Sequence, residues 1–128
     1  MPSLLDLTQD PPGLRGGVCS NCGFVFFPFQ TFGCEACGHF GADLQPRLLA
    51  GRGTVTATTV VHRHADPRRP APFRVVELTL DDGPSVRGVA VDDVEISVGD
   101  RVHTTMLPDV AAEDELLALR FAPEGTTN

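Results

Sequence analysis

Four cysteines, the only ones in this chain of 128 residues, lie in two matched Cys-x-x-Cys pairs. The pairs are Cys19 with Cys22 and Cys34 with Cys37, and a glycine follows each pair. Such a pair turns both sulfurs toward one point, and the glycine can adopt the positive φ that the tight turn needs. Four thiolates with no open position suit a tetrahedral structural ion, zinc first and iron second. The sequence therefore predicts a structural zinc site that leaves no place for a metal-bound water.

Two other uses of these cysteines stay open from the sequence alone. They could form two disulfides, or one pair could be a thioredoxin-like redox centre. The doubled spacing and the glycine after each pair disfavour both alternatives. Metal analysis of the purified protein would separate the three possibilities.

The chain offers little else that could do catalysis. His62, His64 and Asp66 could form an acid/base group or a second metal site, but they fall at the end of a predicted strand, where exposed turn residues are expected. A Gly-x-Ser-x-Gly motif, a phosphate loop and a dinucleotide fingerprint are all missing. We therefore assign no catalytic residue and expect that the chain is not catalytic by itself. An enzyme that used the two histidines and Asp66 would instead turn over its substrate without a partner.

The phenylalanines are concentrated between the cysteine pairs. Five of the eight lie there: Phe24, Phe26, Phe27, Phe29 and Phe32. A metal-held segment of about twenty residues has too little interior to bury five such rings. Some of them must pack elsewhere, either against the rest of the same chain or against a partner protein, where aromatic anchors concentrate. Both readings stay open, and the five residues are our candidates for partner binding.

Charge is distributed unevenly along the chain. The net charge is −7, yet residues 44–76 carry a local balance of +5 and the residues from 77 onward a balance of −9. The arginines of the basic segment could bind an anion or simply cover a solvated strand face; the candidates for anion contact are Arg52, Arg63, Arg68 and Arg69. The acidic total, and strands without paired aromatics for base stacking, disfavour binding to single-stranded nucleic acid.

Strand-like runs dominate the elements that must position these residues, so the predicted fold class is mainly β. A short N-terminal helix or arm (1–16) ends near Pro11 and Pro12, a rubredoxin-like zinc ribbon occupies 17–43, and a small OB-fold β-barrel occupies 44–128. The strand runs are Leu48 to His62, Phe73 to Leu80, Ser85 to Val91, Arg101 to Leu107 and Leu117 to Phe121. One helical turn is expected within Asp109 to Leu117. The start lacks a basic segment followed by an apolar run, and no apolar stretch reaches 18 residues, so we expect a cytoplasmic protein without a membrane span.

The order of motifs resembles one known family. The two Cys-x-x-Cys-Gly knuckles with Phe27-Pro28 between them are followed by Gly51-Arg52-Gly53-Thr54-Val55 and later by Val98-Gly99-Asp100-Arg101-Val102. This order is similar to that of the zinc-ribbon/OB-fold acyl-CoA-associated proteins, over about residues 15 to 107.

The resemblance implies a role in an enzyme complex. It implies a non-catalytic subunit that forms a hetero-oligomer with a thiolase-fold enzyme, foremost a lipid-transfer-protein-like aldolase that cleaves steroid side-chain acyl-CoA by a retro-aldol reaction. The coenzyme A thioester would then be the substrate of the complex, and a hydratase subunit could also take part. An accessory role in a thiolase or acyltransferase complex is the alternative that the same resemblance allows.

Overall fold

The computed structural model describes residues 4–62, 72–92, 94–107 and 118–124, and most of them lie in strands. The strands are β1 (Leu5–Asp6), β2 (Gly13–Cys19), β3 (Val25–Phe26), β4 (Leu44–Leu49), β5 (Arg52–Val61), β6 (Phe73–Leu80), β7 (Ser85–Val89), β8 (Arg101–Met106) and β9 (Leu119–Pro123). A 3₁₀ helix, Gly41–Asp43, precedes β4. The strands form two sheets, which confirms the predicted mainly β class. No helix among the described residues is long and apolar enough to cross a membrane.

The first sheet is built around β2. β4 pairs antiparallel with one edge of β2 over six residue pairs, from Leu14 opposite Leu49 to Cys19 opposite Leu44. β1 and β3 pair with the other edge, one after the other. The described part of the N-terminal segment is thus an arm that contributes a two-residue strand, and β2 is a strand that the sequence did not predict.

Close packing explains why β2 contains glycines. A Cβ atom on Gly17 would lie 2.5 Å from the ring of Phe26, and one on Gly16 would lie 2.6 Å from the side chain of Leu49. Glycine weakens an isolated strand, so its use inside a strand marks a place where another group approaches the backbone. Here the groups are the phenylalanine ring on one face and a leucine on the other.

The second sheet closes into the predicted OB-fold barrel. Its strand order is β7-β6-β5-β8-β9, with every neighbouring pair antiparallel. A parallel bridge between Ala90 and Phe121 joins the two ends, and the Val91 N–H donates to the Phe121 carbonyl at 2.9 Å. The long first strand of the barrel, β5, pairs with both β6 and β8 and shifts register between Val55 and Ala57, so it can curl around the core.

One apolar core joins the two sheets. The cluster that fills the barrel includes Leu5, Leu14 and Leu49 from the first sheet. A smaller cluster in the ribbon contains Cys19, Cys34, Phe26 and Leu44, with Phe29 packed against it. The predicted boundary at 43/44 falls at the start of β4, a strand that pairs with β2. The division into 1–16, 17–43 and 44–128 therefore stays a prediction.

The predicted strands compare closely with the observed ones, with two corrections. β6 has the predicted bounds, and β7 and β8 begin at the predicted residues. The prediction of a single strand from Leu48 to His62 was wrong, because the strand is interrupted at Ala50 and Gly51, between β4 and β5. The last strand begins at Leu119 rather than Leu117. The helical turn expected within Asp109 to Leu117 lies outside the described residues.

Candidate metal centre

The two cysteine pairs form two equivalent knuckles. In the first, the Gly23 N–H donates to the Cys19 carbonyl at 2.8 Å; in the second, the Gly38 N–H donates to the Cys34 carbonyl at 2.8 Å. The two glycines have φ of +82° and +83°, in the left-handed region where a side chain would be strained. Local sequence thus dictates both turns in the same way, as the spacing predicted.

The four sulfurs meet at one point. Each Sγ atom lies within 4.8 Å of the others, with 3.6 Å between Cys19 and Cys37 and 3.5 Å between Cys22 and Cys34. A disulfide needs about 2.0 Å between sulfurs, so neither of these pairs is bonded. Thiolates held about 2.3 Å from a zinc ion in a tetrahedron lie about 3.8 Å apart, which is close to the observed separations. The cluster could therefore hold a metal ion, and its four soft ligands fit zinc.

Hydrogen bonds to the thiols repeat between the knuckles. The backbone N–H of His39 is the main cause that lowers the pKa of Cys37 to about 6, and the Asn21 side chain assists. At Cys22 the backbone N–H of Phe24 lowers the pKa, but loss of solvation and contact with the other thiols raise it to about 12. The backbone N–H groups thus favour the thiolate form at both knuckles. A divalent cation at this point would favour thiolates at all four positions.

The imidazole of His39 is hydrogen-bonded to Asp43. Its Nδ1 atom lies 2.8 Å from Oδ2 of Asp43, and this hydrogen bond is the main cause that raises the pKa of the imidazole. Both side chains are about half exposed. The pair links the second knuckle to the 3₁₀ helix that leads into β4, so it supports the position of the knuckle.

The five candidate phenylalanines have different surroundings. Phe26 is buried in the ribbon core, and Phe29 stacks on it with ring centroids 6.3 Å apart. Phe27 packs against the barrel core, and Phe24, at the surface, also stacks on Phe26 with ring centroids 6.4 Å apart. Phe32 is 91% exposed. Packing within the chain thus accounts for some of the rings, and Phe32 is the one most available to a partner.

Phe40 is an exposed aromatic residue that the sequence reasoning missed. It is 71% exposed and follows the second knuckle, outside the interval between the cysteine pairs that contains the five candidate phenylalanines. The signal that could have found it is its position between His39 and Gly41, in a segment with no strand pattern to bury a large ring.

The candidate anion-binding arginines are only partly visible. Arg52 is half exposed, and its Nε lies 3.2 Å from Oε1 of Glu124. The same carboxylate reaches Arg101, which also makes two hydrogen bonds to Asp81 at 2.6 and 2.8 Å. Arg63, Arg68 and Arg69 lie outside the described residues. The visible candidate is therefore engaged in an ion-pair network, and its contact with a bound anion stays a prediction.

The candidate catalytic group is not assembled in the described part of the chain. His62 is exposed just after β5, while His64 and Asp66 fall in the gap after residue 62. Nothing in the described residues brings His62 to a second acid or base group.

The barrel surface over its second and third strands is where other OB-folds bind oligonucleotides. Here these strands are β6 and β7. A groove of about 220 Å³ lies on this surface, lined by Ala57, Thr58, Thr59, Val75, Glu77 and Arg87. None of these lining residues is aromatic, and Arg87 donates to Glu77 at 2.9 Å. The groove thus lacks the stacking platform that single-stranded nucleic acid uses.

Comparison with known protein sequences matches the chain to a family model and to curated relatives. Residues 47–106 match the model of the ChsH2 C-terminal OB-fold domain. A DUF35 domain-containing scaffold protein of Methanothermobacter thermautotrophicus is 31% identical over 93 residues, which covers 70% of this chain and 68% of that protein. The scaffold protein of the same description from Methanocaldococcus jannaschii is 32% identical over 80 residues, covering 62% of this chain. The chain spans about half the length of this second relative, with 55% covered.

Solved structures agree with the sequence matches. A chain of the Ltp2-ChsH2(DUF35) aldolase superposes with a TM-score of 0.68 at 26% identity, covering 87% of this chain and 84% of that one. A DUF35 protein of unknown function from Sulfolobus solfataricus superposes with a TM-score of 0.57 at 18% identity, covering 93% and 80%, and shows the same fold. The resemblance identified from the knuckles and the barrel motifs is confirmed. The chain belongs to the DUF35 domain family, as its match to the scaffold relative shows, and the clustered cysteines and the closed OB-fold barrel agree with this.

Proposed function

We propose that this chain is a subunit of a hetero-oligomeric aldolase, not catalytic by itself, that assembles with a thiolase-like chain. The observation that carries the proposal is the superposition on a chain of the Ltp2-ChsH2(DUF35) aldolase, which extends over most of both chains. The match includes the barrel and the cysteine-rich segment together, because 87% of this chain is covered. The scaffold names of the relatives support a role in assembly.

Zinc is the proposed cofactor, and its role is structural. The four clustered thiols Cys19, Cys22, Cys34 and Cys37 would hold it. The bound ion would supply folding free energy, about 10 to 16 kcal/mol in small zinc-dependent domains. Four protein thiolates would fill a tetrahedral coordination sphere and leave no position for water or substrate, so the ion would stabilise the ribbon and the aromatic residues on it.

The aldolase reaction is proposed from the matched aldolase, and the substrate from the family resemblance. The complex would cleave a steroid side-chain acyl-CoA by a retro-aldol reaction, with the acid/base groups on the thiolase-like chain. The coenzyme A thioester would lie near this chain, where Arg52 and the arginines at 63, 68 and 69 are candidates for phosphate contact. A hydratase subunit could join the same complex.

A thiolase or acyltransferase complex is the second candidate. The specific observation that favours it is that the curated relatives are called scaffold proteins, a description not limited to aldolases. The two candidates differ in the reaction of the assembled complex. An aldolase releases a ketone or aldehyde from a 3-hydroxyacyl-CoA, whereas a thiolase transfers an acyl group to coenzyme A.

Co-expression tests the proposal. This chain, carrying an affinity tag, is co-expressed with each thiolase-fold chain of the same organism, and the purified product is measured by intact and native mass spectrometry. We expect one thiolase-fold chain to be recovered in stoichiometric amount and to cleave a steroid 3-hydroxyacyl-CoA only as the complex. The matched control is the chain with Cys22→Ser and Cys37→Ser, which should lose both metal and partner. Failure of every thiolase-fold chain to bind the zinc-loaded, folded protein would refute the proposal.

A further inference from the structure

The ribbon carries two large, exposed aromatic rings. Phe32 and Phe40 are 91% and 71% exposed, although they lie eight residues apart in sequence. The backbone brings them together, because the Gly41 N–H donates to the Thr31 carbonyl at 2.9 Å. Phe32 follows Thr31 and Phe40 precedes Gly41, so both phenylalanines are adjacent in sequence to a residue of this hydrogen bond. We call the pair, with Thr31 and Gly41, the ribbon tip.

The loop that carries Phe32 is held in place by one side chain. The Oε1 atom of Gln30 accepts from the N–H groups of Phe32 at 2.6 Å and Gly33 at 3.1 Å, and its Nε2 atom donates to the Gly33 carbonyl at 2.9 Å. These three bonds fix the backbone on both sides of the exposed ring. None of them buries the ring itself. The loop is thus rigid at the point where it displays an unburied aromatic side chain.

The segment that carries the ribbon tip has few charged side chains. Residues 23–42 contain one acidic residue, Glu35, and no arginine or lysine, in a chain where charged residues make up 21%. His39 is hydrogen-bonded to Asp43. The buried centre of a protein interface is depleted of charged residues and enriched in aromatic ones. The tip therefore complements a neutral apolar pocket rather than an acidic or basic surface.

We propose that the ribbon tip anchors this chain in an uncharged apolar pocket of the thiolase-like subunit, with Phe32 as the central contact, Phe40 beside it, and Gln30 as the residue that positions Phe32. This inference rests on the proposed function and adds where the two chains meet. Phe40 and Gln30 join the predicted partner-binding set. Phe26 and Phe27 are not central contacts in this proposal, because they are packed inside the chain.

The size of the tip limits its role to that of an anchor. A phenylalanine buries about 150 to 250 Å² when it is enclosed, so two of them provide about 300 to 500 Å² of the roughly 800 Å² that a standard interface takes from each partner. Further contacts must come from neighbouring surface. An anchor of this kind dominates affinity because its position is fixed before binding, which reduces the entropy lost on association.

Affinity measurements with single variants test the inference. The probe is the thiolase-fold chain identified by co-expression, purified and titrated with this chain by calorimetry. We expect Phe32→Ser to weaken binding by about 30-fold and Phe40→Ser by about 10-fold. The matched control is Val98→Ser: Val98 is 65% exposed in a tight turn of the barrel, where the Ser97 N–H donates to Asp100. This control should change the dissociation constant by less than about 2-fold.

A double-mutant cycle tests the positioning role of Gln30. Gln30→Ala should weaken binding by about 5-fold in the wild-type background and should add little once Phe32 is serine, because the loop then has no ring to position. A residue that only stabilised the ribbon would weaken both backgrounds equally. Zinc content and circular dichroism are measured for every variant, so that loss of folding is recognised.

Three outcomes would overturn the inference. If the wild type binds a thiolase-fold chain and Phe32→Ser binds it equally well, the anchor lies elsewhere and the proposed function stands. If the wild type self-associates and the serine variants abolish that instead, the tip is a contact between copies of this chain. If no thiolase-fold chain binds the wild type, the proposed function and this inference fail together.

Discussion

Replacing Thr104 with valine should destabilise the protein through a single lost hydrogen bond. Thr104 lies in β8, is 1% exposed, and donates its hydroxyl to the Pro12 carbonyl at 2.6 Å. Its neighbour is Gly51, on which a Cβ atom would lie 2.3 Å from the hydroxyl oxygen. Valine has the same shape but no donor, so the carbonyl loses its partner and faces a methyl group. The cost of leaving such a group unpaired is about 1 to 3 kcal/mol.

Equilibrium unfolding in urea measures this cost. The chain has no tryptophan or tyrosine, so far-UV circular dichroism must follow the transition in place of intrinsic fluorescence. Zinc is kept at a fixed, saturating concentration, because a bound metal shifts apparent stability. In a chain of this size 1 kcal/mol corresponds to about 4 °C in melting temperature, so a parallel thermal scan should show a loss of about 4 to 12 °C.

Thr56→Val is the matched control. Thr56 also donates its hydroxyl to a backbone carbonyl, that of Glu77 at 3.2 Å, but it is exposed on β5. Water can replace this bond, so the variant should stay within about 0.5 kcal/mol of the wild type. If Thr104→Val and Thr56→Val have the same stability within that error, the hydrogen bond between the barrel and the N-terminal arm contributes nothing and the reasoning is refuted.

Three further changes have defined outcomes. Cys37→Ser removes one of the four sulfurs, so zinc measured by atomic absorption should fall from about one ion per chain to well below that after dialysis against a chelator, and full retention would contradict the assigned ligand set. The pKa of Asp81 is depressed below its ordinary 3.8, chiefly by the hydrogen bond from Arg101, so its contribution to stability is present above that pH and is lost as the pH falls through the folded-state value. In urea titrations Asp81→Asn should therefore be less stable than the wild type at pH 7, and the difference should shrink as the pH falls below 3.8; a difference independent of pH would rule out this ion pair as the cause. Gly88→Ala would place a Cβ atom 2.3 Å from the ring of Phe121, the residue whose backbone closes the barrel. Urea unfolding should therefore show a loss of about 1 to 3 kcal/mol in the free energy of unfolding. An unchanged unfolding midpoint would mean that the ring moves aside freely.

The sequence predicted best what local chemistry decides. The knuckles depend on a cysteine pair and the glycine that follows it, and both are readable over five residues. β6 could be read from its apolar and β-branched residues between two turns, and the structure gives the same bounds, Phe73–Leu80. The barrel class followed from the number and spacing of such runs.

Long-range packing decided what the sequence did not predict. β2 contains three glycines, which argue against a strand, yet they are needed because Phe26 and Leu49 approach the backbone at Gly17 and Gly16. The break between β4 and β5 also has a tertiary cause. A Cβ atom on Gly51 would lie 2.2 Å from the carbonyl oxygen of Pro12, which belongs to the N-terminal arm. Neither contact leaves a pattern in the adjacent sequence.

The exposure of the aromatic residues is likewise a tertiary property. Phe26 and Phe32 are the same residue type six positions apart in one uncharged segment, but one is buried and the other is 91% exposed. The difference arises because β3 pairs with β2, which turns Phe26 inward, whereas Gln30 holds the later loop at the surface. Composition alone could say only that five rings were too many for the ribbon to bury.

Strand β2 sets the geometry between the metal centre and the barrel. Its last residue, Cys19, is one of the four clustered cysteines, while Leu14 near its start is part of the barrel core. Seven extended residues span roughly 20 Å, and β4 is hydrogen-bonded alongside for six of them. A ribbon attached in this way has no hinge of its own at that junction. A protein that binds the ribbon would therefore also determine the distance and direction at which the barrel lies from that binding site.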